Sequence, residues 1–190
     1  MNHEAIVMGA SAGGIAALNT ILGGIPAFFS LPILLVQHVG PQGGRTLAAC
    51  LEARTPLHVR EAEEKEAIVP GTVFIAPGGY HLLVERDHTL SLSMDPKVQY
   101  ARPSIDVLFE SAADAYGGAL VGVLLTGTGR DGAHGMTRIH LRGGLTVVQD
   151  PADAEAAEMP EAAIATGSIL KVLPLPRIAP FLIELAGDGA

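Results

Sequence analysis

The chain opens with Ile6-Val7-Met8-Gly9-Ala10-Ser11-Ala12-Gly13-Gly14, a short apolar run that ends in glycines placed around one serine. Apolar residues then recur at helical spacing, so the order predicts a strand, a tight turn and a helix. The segment 9–13 matches G-x-S-x-G, in which flanking glycines allow a sharp turn and the serine oxygen stands exposed at the end of the strand. The stretch therefore predicts a nucleophilic serine on a strand-turn-helix unit.

Two other interpretations of this stretch stay open on these residues alone. Ser11 belongs to the residue types that commonly cap a helix, and glycine loops also bind nucleotides. The dinucleotide pattern G-x-G-x-x-G requires glycine at position 11, however, and residues 25–35 contain no acidic residue that could bind a ribose. A nucleotide-binding domain is therefore disfavoured.

Composition narrows the class of protein. With 190 residues, 48% of them hydrophobic, the chain is long enough to bury the core of one domain, residues 1–190. A formal net charge of −8 with 12 Lys and Arg argues against a nucleic-acid or anionic-membrane surface. The single cysteine, Cys50, excludes an internal disulfide and is expected to be buried in a helix. With no signal peptide, membrane span or metal-ligand spacing in the pattern, we predict a soluble cytoplasmic protein without metal or cofactor.

Strand and helix patterns alternate over most of the chain. Apolar runs typical of strands covered on both faces occur at 31–38 and 119–126, and further strands are predicted at 5–8, 145–149 and 169–173. The alternation pauses between residues 72 and 94, where three apolar runs separated by turns predict a short antiparallel section. Ser104 is the predicted N-cap of the helix that follows. The order implies an α/β fold with a doubly wound, mostly parallel sheet flanked by helices.

Three residues with suitable chemistry lie where such a sheet binds ligands, beyond the carboxyl ends of its strands. Ser11, His38 and Asp131 each come just after a predicted parallel strand. A serine hydroxyl needs a base to act as a nucleophile near neutral pH, and the base needs a third group to orient it. Placement leaves other residues open for two of these roles. They are His81 for the base, and Asp106 or Asp150 for the orienting carboxylate.

Six segments that occur in order across nearly the whole chain carry a more specific signal. They are Gly9-Ala10-Ser11-Ala12-Gly13-Gly14, Val36-Gln37-His38, Val69-Pro70-Gly71 with Ile75-Ala76-Pro77-Gly78, Arg102-Pro103-Ser104-Ile105-Asp106-Val107-Leu108-Phe109, Leu125-Thr126-Gly127-Thr128-Gly129-Arg130-Asp131-Gly132-Ala133, and Met159-Pro160-Glu161-Ala162-Ala163. Together they resemble the successive motifs of the CheB family, the catalytic domains of chemotaxis protein-glutamate methylesterases.

The resemblance implies a Ser/His/Asp triad, which falls on Ser11, His38 and Asp131. It implies hydrolysis of glutamate γ-methyl esters on the cytoplasmic helices of methyl-accepting chemotaxis receptors, with release of methanol. Some members also deamidate receptor glutamines, and no cofactor is implied. The chain order Ser, His, Asp differs from the order in α/β-hydrolases, so a lipase-like fold is disfavoured.

The resemblance also implies an oxyanion site made of backbone N–H groups at the start of the first helix and in the loop 127–129. Ala12, Thr128 and Gly129 are the expected lining residues. His81 stays open either as a rim residue that contacts substrate or as structural support. Family members commonly carry methionine in place of Thr128 and threonine in place of Ala12. Their aromatic-containing loop after the histidine corresponds here to residues 39–44. These departures concern the pocket and the grip on the substrate more than the chemistry.

Regulation is expected to differ from that of the usual family member. Chemotaxis methylesterases usually carry an N-terminal receiver domain, for which this chain has no room, so a separate regulatory partner is expected in its place. The alternative function is a catalytically weak receptor- or partner-binding module of the same fold. Its support is limited to the departures at Ala12 and Thr128.

Overall fold

The computed structural model describes residues 3–40 and 43–187, which form nine strands and six α-helices. The strands are β1 (Ala5–Ala10), β2 (Ile33–Gln37), β3 (His58–Glu61), β4 (Thr72–Ile75), β5 (His81–Val84), β6 (Leu90–Ser93), β7 (Leu120–Leu124), β8 (Leu145–Gln149) and β9 (Lys171–Leu173). The helices are α1 (Gly14–Gly23), α2 (Gly43–Glu52), α3 (Ile105–Tyr116), α4 (Ala133–Leu141), α5 (Glu158–Ile164) and α6 (Leu175–Gly187).

Seven strands form one sheet in the order β3-β4-β2-β1-β7-β8-β9, and every pairing in it is parallel. From β1 the chain first builds the side that contains β2, β3 and β4, and it later crosses to β7 on the other side. The strand order therefore reverses between β1 and β7, where a doubly wound sheet leaves a crevice beyond its carboxyl ends. The predicted α/β class and mostly parallel sheet are confirmed.

The sheet is covered on both faces, as its uninterrupted apolar strands require. All six residues of β1 are buried, and their side chains alternate between two cores. On one face Ile6 and Met8 belong to the core that α1, α2 and α6 complete. On the other face Ala5 and Val7 belong to the core that α3, α4 and α5 complete, together with the hairpin β5–β6. The sheet thus holds the ends of β1, β2 and β7 in fixed positions.

The predicted antiparallel section is confirmed, but it is shorter than expected. The strands β5 and β6 do form an antiparallel hairpin, but β4, which was assigned to the same section, lies in the parallel sheet between β3 and β2. All four residues of β4 are buried, and just after the strand the Ala76 N–H donates to the carbonyl of Leu35 at 2.9 Å. A strand buried on both faces is stabilised inside the sheet, so tertiary packing overrides the turn signal at 77–80.

Two further expectations can be compared with the structure. Cys50, expected to be buried, is exposed on α2, because the buried side of that helix is formed by Leu47, Ala48 and Leu51. Within residues 3–40 and 43–187, the helices lack the length and apolar character that crossing a membrane demands.

Candidate active site

The side chains of Ser11, His38 and Asp131 form a continuous hydrogen-bonded row at the strand ends. Ser11 follows β1, His38 follows β2, and Asp131 lies between β7 and α4. The distance from Ser11 Oγ to His38 Nδ1 is 3.2 Å, and that from His38 Nε2 to Asp131 Oδ2 is 2.9 Å. The fold thus brings together the three residues that placement at strand ends selected. Asp150 is not part of this row.

The turn after β1 leaves the hydroxyl of Ser11 free to face His38. Gly13 precedes α1 with φ of 75°, in the left-handed region that favours glycine. The Ser11 N–H donates to the carbonyl of Thr126 at 3.0 Å, and the Ser11 carbonyl accepts from the Gly14 N–H at 2.9 Å. The backbone of Ser11 is therefore held on both sides, and its side chain is not used to cap the helix.

The hydrogen bonds of His38 assign its two ring nitrogens. Asp131 is an acceptor when ionised, so Nε2 carries the hydrogen and Nδ1 accepts from the Ser11 hydroxyl. The His38 N–H donates to the carbonyl of Ala10 at 3.1 Å. The adjacent Gln37, which is buried, donates through Nε2 to the carbonyls of Ser11 at 2.9 Å and His38 at 3.2 Å. Gln37 thus ties the backbones of the two residues together, a role that sequence reasoning missed.

Asp131 is buried at the start of α3, although it belongs to the segment before α4. Its carboxylate accepts from the backbone N–H groups of Ile105 at 2.8 Å and Asp106 at 2.9 Å, and from the Ser104 hydroxyl at 2.8 Å, in addition to His38. Burial works to raise the pKa of Asp131, but these hydrogen bonds outweigh burial and hold the pKa below its usual value. The group is therefore ionised where His38 needs a negative partner.

Ser104 is the N-cap residue of α3, as predicted, but its side chain does not act as the cap. Its hydroxyl donates to Asp131, and Asp131 instead accepts from the first N–H groups of the helix. A carboxylate from a distant segment can accept from the unpaired N–H groups of the first helical turn in the same way as a local capping residue. The sequence pointed to Ser104 through the segment 102–109. Only the tertiary structure shows that its hydroxyl donates to Asp131.

Asp106 mirrors Asp131 at the neighbouring helix. Its Oδ1 accepts from the backbone N–H groups of Gly132 at 2.9 Å and Gly135 at 2.8 Å at the start of α4. Burial raises the pKa of Asp106 to about 6, helped by the nearby charge of Asp131. Sequence reasoning left Asp106 open as an alternative to Asp131. In the structure Asp131 contacts His38, whereas Asp106 accepts from the backbone N–H groups of Gly132 and Gly135.

His81 lies behind Asp131 rather than at the surface of the pocket. It is 1% exposed, and its Nδ1 accepts from the Ser104 N–H at 3.2 Å, so its Nε2 carries the hydrogen and donates to the carbonyl of Pro96 at 3.1 Å. Of the two roles left open for His81, this buried position favours structural support over contact with substrate. His81 links the segment before α3 to Ser104, which in turn contacts Asp131.

The loop 127–129 approaches the serine closely, but only part of it remains free. A side chain at Gly127 would collide with Met159 and with Cβ of Ser11. The Gly127 N–H donates to the carbonyl of Ala156 at 2.9 Å, and the Gly129 N–H donates to Glu158 Oε2 at 2.7 Å. Those two N–H groups, expected to face an oxyanion, are therefore already bonded.

Two backbone N–H groups near Ser11 remain free among the described residues. In the part of the chain that the structure describes, no acceptor is recorded for the N–H groups of Ala12 and Thr128. Thr128 and Gly129 line the cavity at Ser11, whereas Ala12 does not. A pair of unpaired N–H groups beside a nucleophile is the arrangement that stabilises an oxyanion.

A cavity of about 940 Å³ opens over this row of residues. Ser11 and His38 lie in its wall with Thr128, and three cationic side chains lie there too, namely Lys97, Arg102 and Arg130. Across the described ranges 3–40 and 43–187, His, Cys, Asp and Glu form no cluster of three that could hold a metal ion. Two residues of the loop after His38, Pro41 and Gln42, fall outside the described residues.

Comparisons with known proteins point to one family. A family model described as CheB methylesterase matches residues 6–182. A protein of Leptospira interrogans is 50% identical over 185 residues, which span 97% of this chain and 96% of that protein. Protein-glutamate methylesterase/protein-glutamine glutaminase 1 of Burkholderia lata is 44% identical over 181 residues, which span 95% of this chain and 54% of that protein. The crystal structure of the Thermotoga maritima CheB methylesterase catalytic domain matches with a TM-score of 0.93 and 34% identity, over 97% of this chain and all of that one.

Proposed function

Since the chain belongs to the CheB methylesterase family, we propose that it hydrolyses glutamate γ-methyl esters of methyl-accepting chemotaxis receptors. In this proposal Ser11, His38 and Asp131 are the catalytic triad. The observation that carries it is the hydrogen-bonded row from Ser11 Oγ through His38 to Asp131, at 3.2 Å and 2.9 Å. Residues 1–190 are proposed to act as one catalytic domain, on the receptors' cytoplasmic helices and hence in the cytoplasm.

The proposed first half-reaction acylates Ser11. Its hydroxyl oxygen attacks the ester carbonyl carbon while His38 Nδ1 takes the hydroxyl proton. Asp131 remains ionised and stabilises the imidazolium through the hydrogen bond from Nε2. The tetrahedral intermediate then collapses, the C–O bond to the methoxy group breaks, and His38 returns its proton to the leaving methanol.

The second half-reaction regenerates the serine. A water molecule loses its proton to His38 Nδ1 and attacks the acyl-enzyme, and the glutamate carboxylic acid leaves as Ser11 regains its hydrogen. In both halves the N–H groups of Ala12 and Thr128 are the proposed donors to the oxyanion, since those of Gly127 and Gly129 are engaged. A backbone donor does not depend on the side chain, so threonine in place of the family's methionine is compatible with activity.

The same groups can act on an amide. A glutamine side chain presents the same carbonyl carbon, and its leaving group is ammonia, which His38 protonates from the same nitrogen. The Burkholderia lata relative carries protein-glutamine glutaminase in its name. Deamidation of receptor glutamines is therefore included in the proposal as a second reaction of one site.

The test measures methanol released from a receptor fragment that carries glutamate γ-methyl esters. Ser11→Ala is expected to lower the rate by about 10³-fold or more, because the nucleophile is lost. Ser30→Ala is the matched control, since Ser30 is exposed and lies before β2, at the opposite end of that strand from His38, and it should retain the wild-type rate. Circular dichroism verifies the fold of all three proteins. A folded wild type that releases no methanol from several receptor fragments would contradict the proposal and favour the binding-module alternative.

A further inference from the structure

The cavity at Ser11 contains three positive side chains that the reaction steps do not use. Lys97 and Arg102 lie between β6 and α3, Arg130 follows β7, and all three line the cavity with Ser11 and His38. We propose that this cationic rim, made of Lys97, Arg102 and Arg130, binds carboxylate side chains that neighbour the esterified glutamate in the substrate. The inference rests on the proposed function and specifies the charge of the segment that the site selects.

The charges of the rim are not neutralised within the protein. Among residues 3–40 and 43–187 none of the three cations has an ion-pair partner, whereas five other cations do. Those five are Arg45, Arg60, Lys65, Arg138 and Arg142. Asp131 is the sole carboxylate that lines the cavity in the described ranges, and its buried oxygens are engaged by four donors. The positive charge of the rim therefore remains available to a ligand.

Arg102 is held in place for such a contact. Its Nη1 donates to the carbonyl of Met94 at 2.7 Å and to that of Asp95 at 3.0 Å. These bonds orient the guanidinium, which is half-buried, and no acceptor for Nη2 is recorded among the described residues. An oriented guanidinium loses little entropy when it binds a carboxylate. Lys97 and Arg130 are exposed and have flexible stems, so they can adapt to carboxylates at more than one position.

The location of the rim matters because the rest of the molecule is acidic. With a net charge of −8, the protein as a whole repels an acidic segment. A local positive cluster beside the nucleophile attracts the segment to the place where reaction occurs, and it discriminates against neutral segments. Glu158, on the side of the loop 127–129, accepts a hydrogen bond from the Gly129 N–H at 2.7 Å.

The experiment uses two helical peptides that each carry one glutamate γ-methyl ester. In the acidic peptide the residues one helical turn before and after the ester are glutamate, and in the neutral peptide they are glutamine. Wild type is expected to show kcat/KM about tenfold higher for the acidic peptide at low salt, and the ratio should approach one at about 0.5 M NaCl. A ratio near one at low salt would overturn the inference.

The variant Lys97→Met/Arg130→Met tests whether the rim causes the preference for the acidic peptide. It leaves Arg102 and its backbone contacts intact. It should lower the acidic-to-neutral ratio to about two or less at low salt, through the acidic peptide alone. Lys171→Met/Arg177→Met is the control with the same change in net charge, since both residues are exposed on or near β9 and α6, and it should keep the wild-type ratio. An unchanged ratio in the rim variant, or an equal loss in both variants, would overturn the inference.

Failure of the rim and failure of the proposed function give different results. If wild type releases methanol equally from both peptides, the rim inference fails and the esterase stands. If wild type releases methanol from neither peptide nor from a methylated receptor fragment, the proposed function fails and the rim inference fails with it. If Lys97→Met/Arg130→Met loses activity on the neutral peptide as well, the two residues serve the site in general, and selection by charge is overturned.

Discussion

The starts of α3 and α4 are built alike, yet their two aspartates differ in electrostatic state. At the start of α3, Asp131 accepts two backbone N–H groups, and at the start of α4, Asp106 also accepts two. Asp131 therefore caps α3, the helix that contains Asp106, and Asp106 caps α4, the helix that follows Asp131. Asp131 additionally accepts from His38 and from the Ser104 hydroxyl, whereas Asp106 has the charge of Asp131 nearby.

The comparison shows that hydrogen-bond donors, and not the extent of burial, distinguish the pKa of Asp131 from that of Asp106. The two aspartates are nearly equally buried, at 2% and 3% exposure. Burial raises the pKa of Asp106 to about 6, whereas the extra hydrogen bonds of Asp131 outweigh burial and lower its pKa. Asp131 therefore stays ionised at lower pH than Asp106 does, and its charge lies next to the His38 imidazole.

The largest expected effect is a difference in kcat between matched substitutions of the two aspartates. Asp131→Asn should lower kcat by about 10³-fold or more, because an amide directs an N–H₂ group either at His38 or at the backbone donors of α3. Asp106→Asn keeps Oδ1 for its two backbone donors and should change kcat less than about threefold. Methanol release measures both variants, and circular dichroism verifies their folds. Equal losses in the two variants would mean that both aspartates act only as caps.

The second effect concerns stability against pH. Because the pKa of Asp106 is raised on folding, folded protein holds this proton more tightly than unfolded protein, and the contribution of Asp106 to stability decreases as the pH rises through about 6. An asparagine at position 106 does not titrate, so Asp106→Asn removes this pH-dependent loss of stability. The free energy of unfolding of the variant relative to wild type should therefore increase by about 1 kcal/mol between pH 5 and pH 8. Urea denaturation at both pH values measures it, and a constant difference would contradict the raised pKa.

Asp131 acts in the opposite direction and in a different pH range. Its pKa is lowered on folding, so its contribution to stability is present above the usual aspartate pKa and is lost as the pH falls through the lowered value. Between pH 5 and pH 8 its state of ionisation stays constant, so it does not disturb the measurement on Asp106.

The smallest effect compares the buried caps with an exposed contact between the same two helices. Asp114 of α3 accepts from Nη2 of Arg138 in α4 at 3.0 Å and from Nε of Arg142, just after α4, at 2.9 Å. These side chains are solvent-accessible, so Asp114→Asn should lower the free energy of unfolding by about 0.5 kcal/mol at low salt and by less at high salt. Thermal unfolding at two salt concentrations measures it. A loss as large as that expected from removing a buried cap, about 1 kcal/mol or more, would contradict the distinction.

Local patterns predicted the elements and the strand ends well because they rest on short-range physics. The apolar run before Gly9 and the glycines around Ser11 define β1, its turn and α1, since an unpaired apolar run must be buried and glycine permits the left-handed turn. Parallel strands with crossover helices then place Ser11, His38 and Asp131 at one edge. That reasoning did not by itself exclude Asp106 or His81.

Errors arose where partners are distant in sequence. The apolar run of β4 is compatible with a hairpin or with a parallel sheet, and only its burial between β3 and β2 decides. The hydroxyl of Ser104 bonds to Asp131 rather than to its own helix, and the Gly129 N–H bonds to Glu158 rather than remaining free. The glycine turn before His81 left both a rim position and a structural role open, and the buried position in β5 favours the structural role.

By itself the sequence determined the α/β class, the strand-turn-helix unit around Ser11 and the set of candidate residues, because helix, strand and turn preferences act between neighbours in the chain. The tertiary structure decided which candidates meet, since His38 and Asp131 are 93 residues apart and approach only when the sheet is complete. It also decided the direction in which the pKa of each aspartate shifts, because the hydrogen-bond donors and the burial that cause the shift come from other segments.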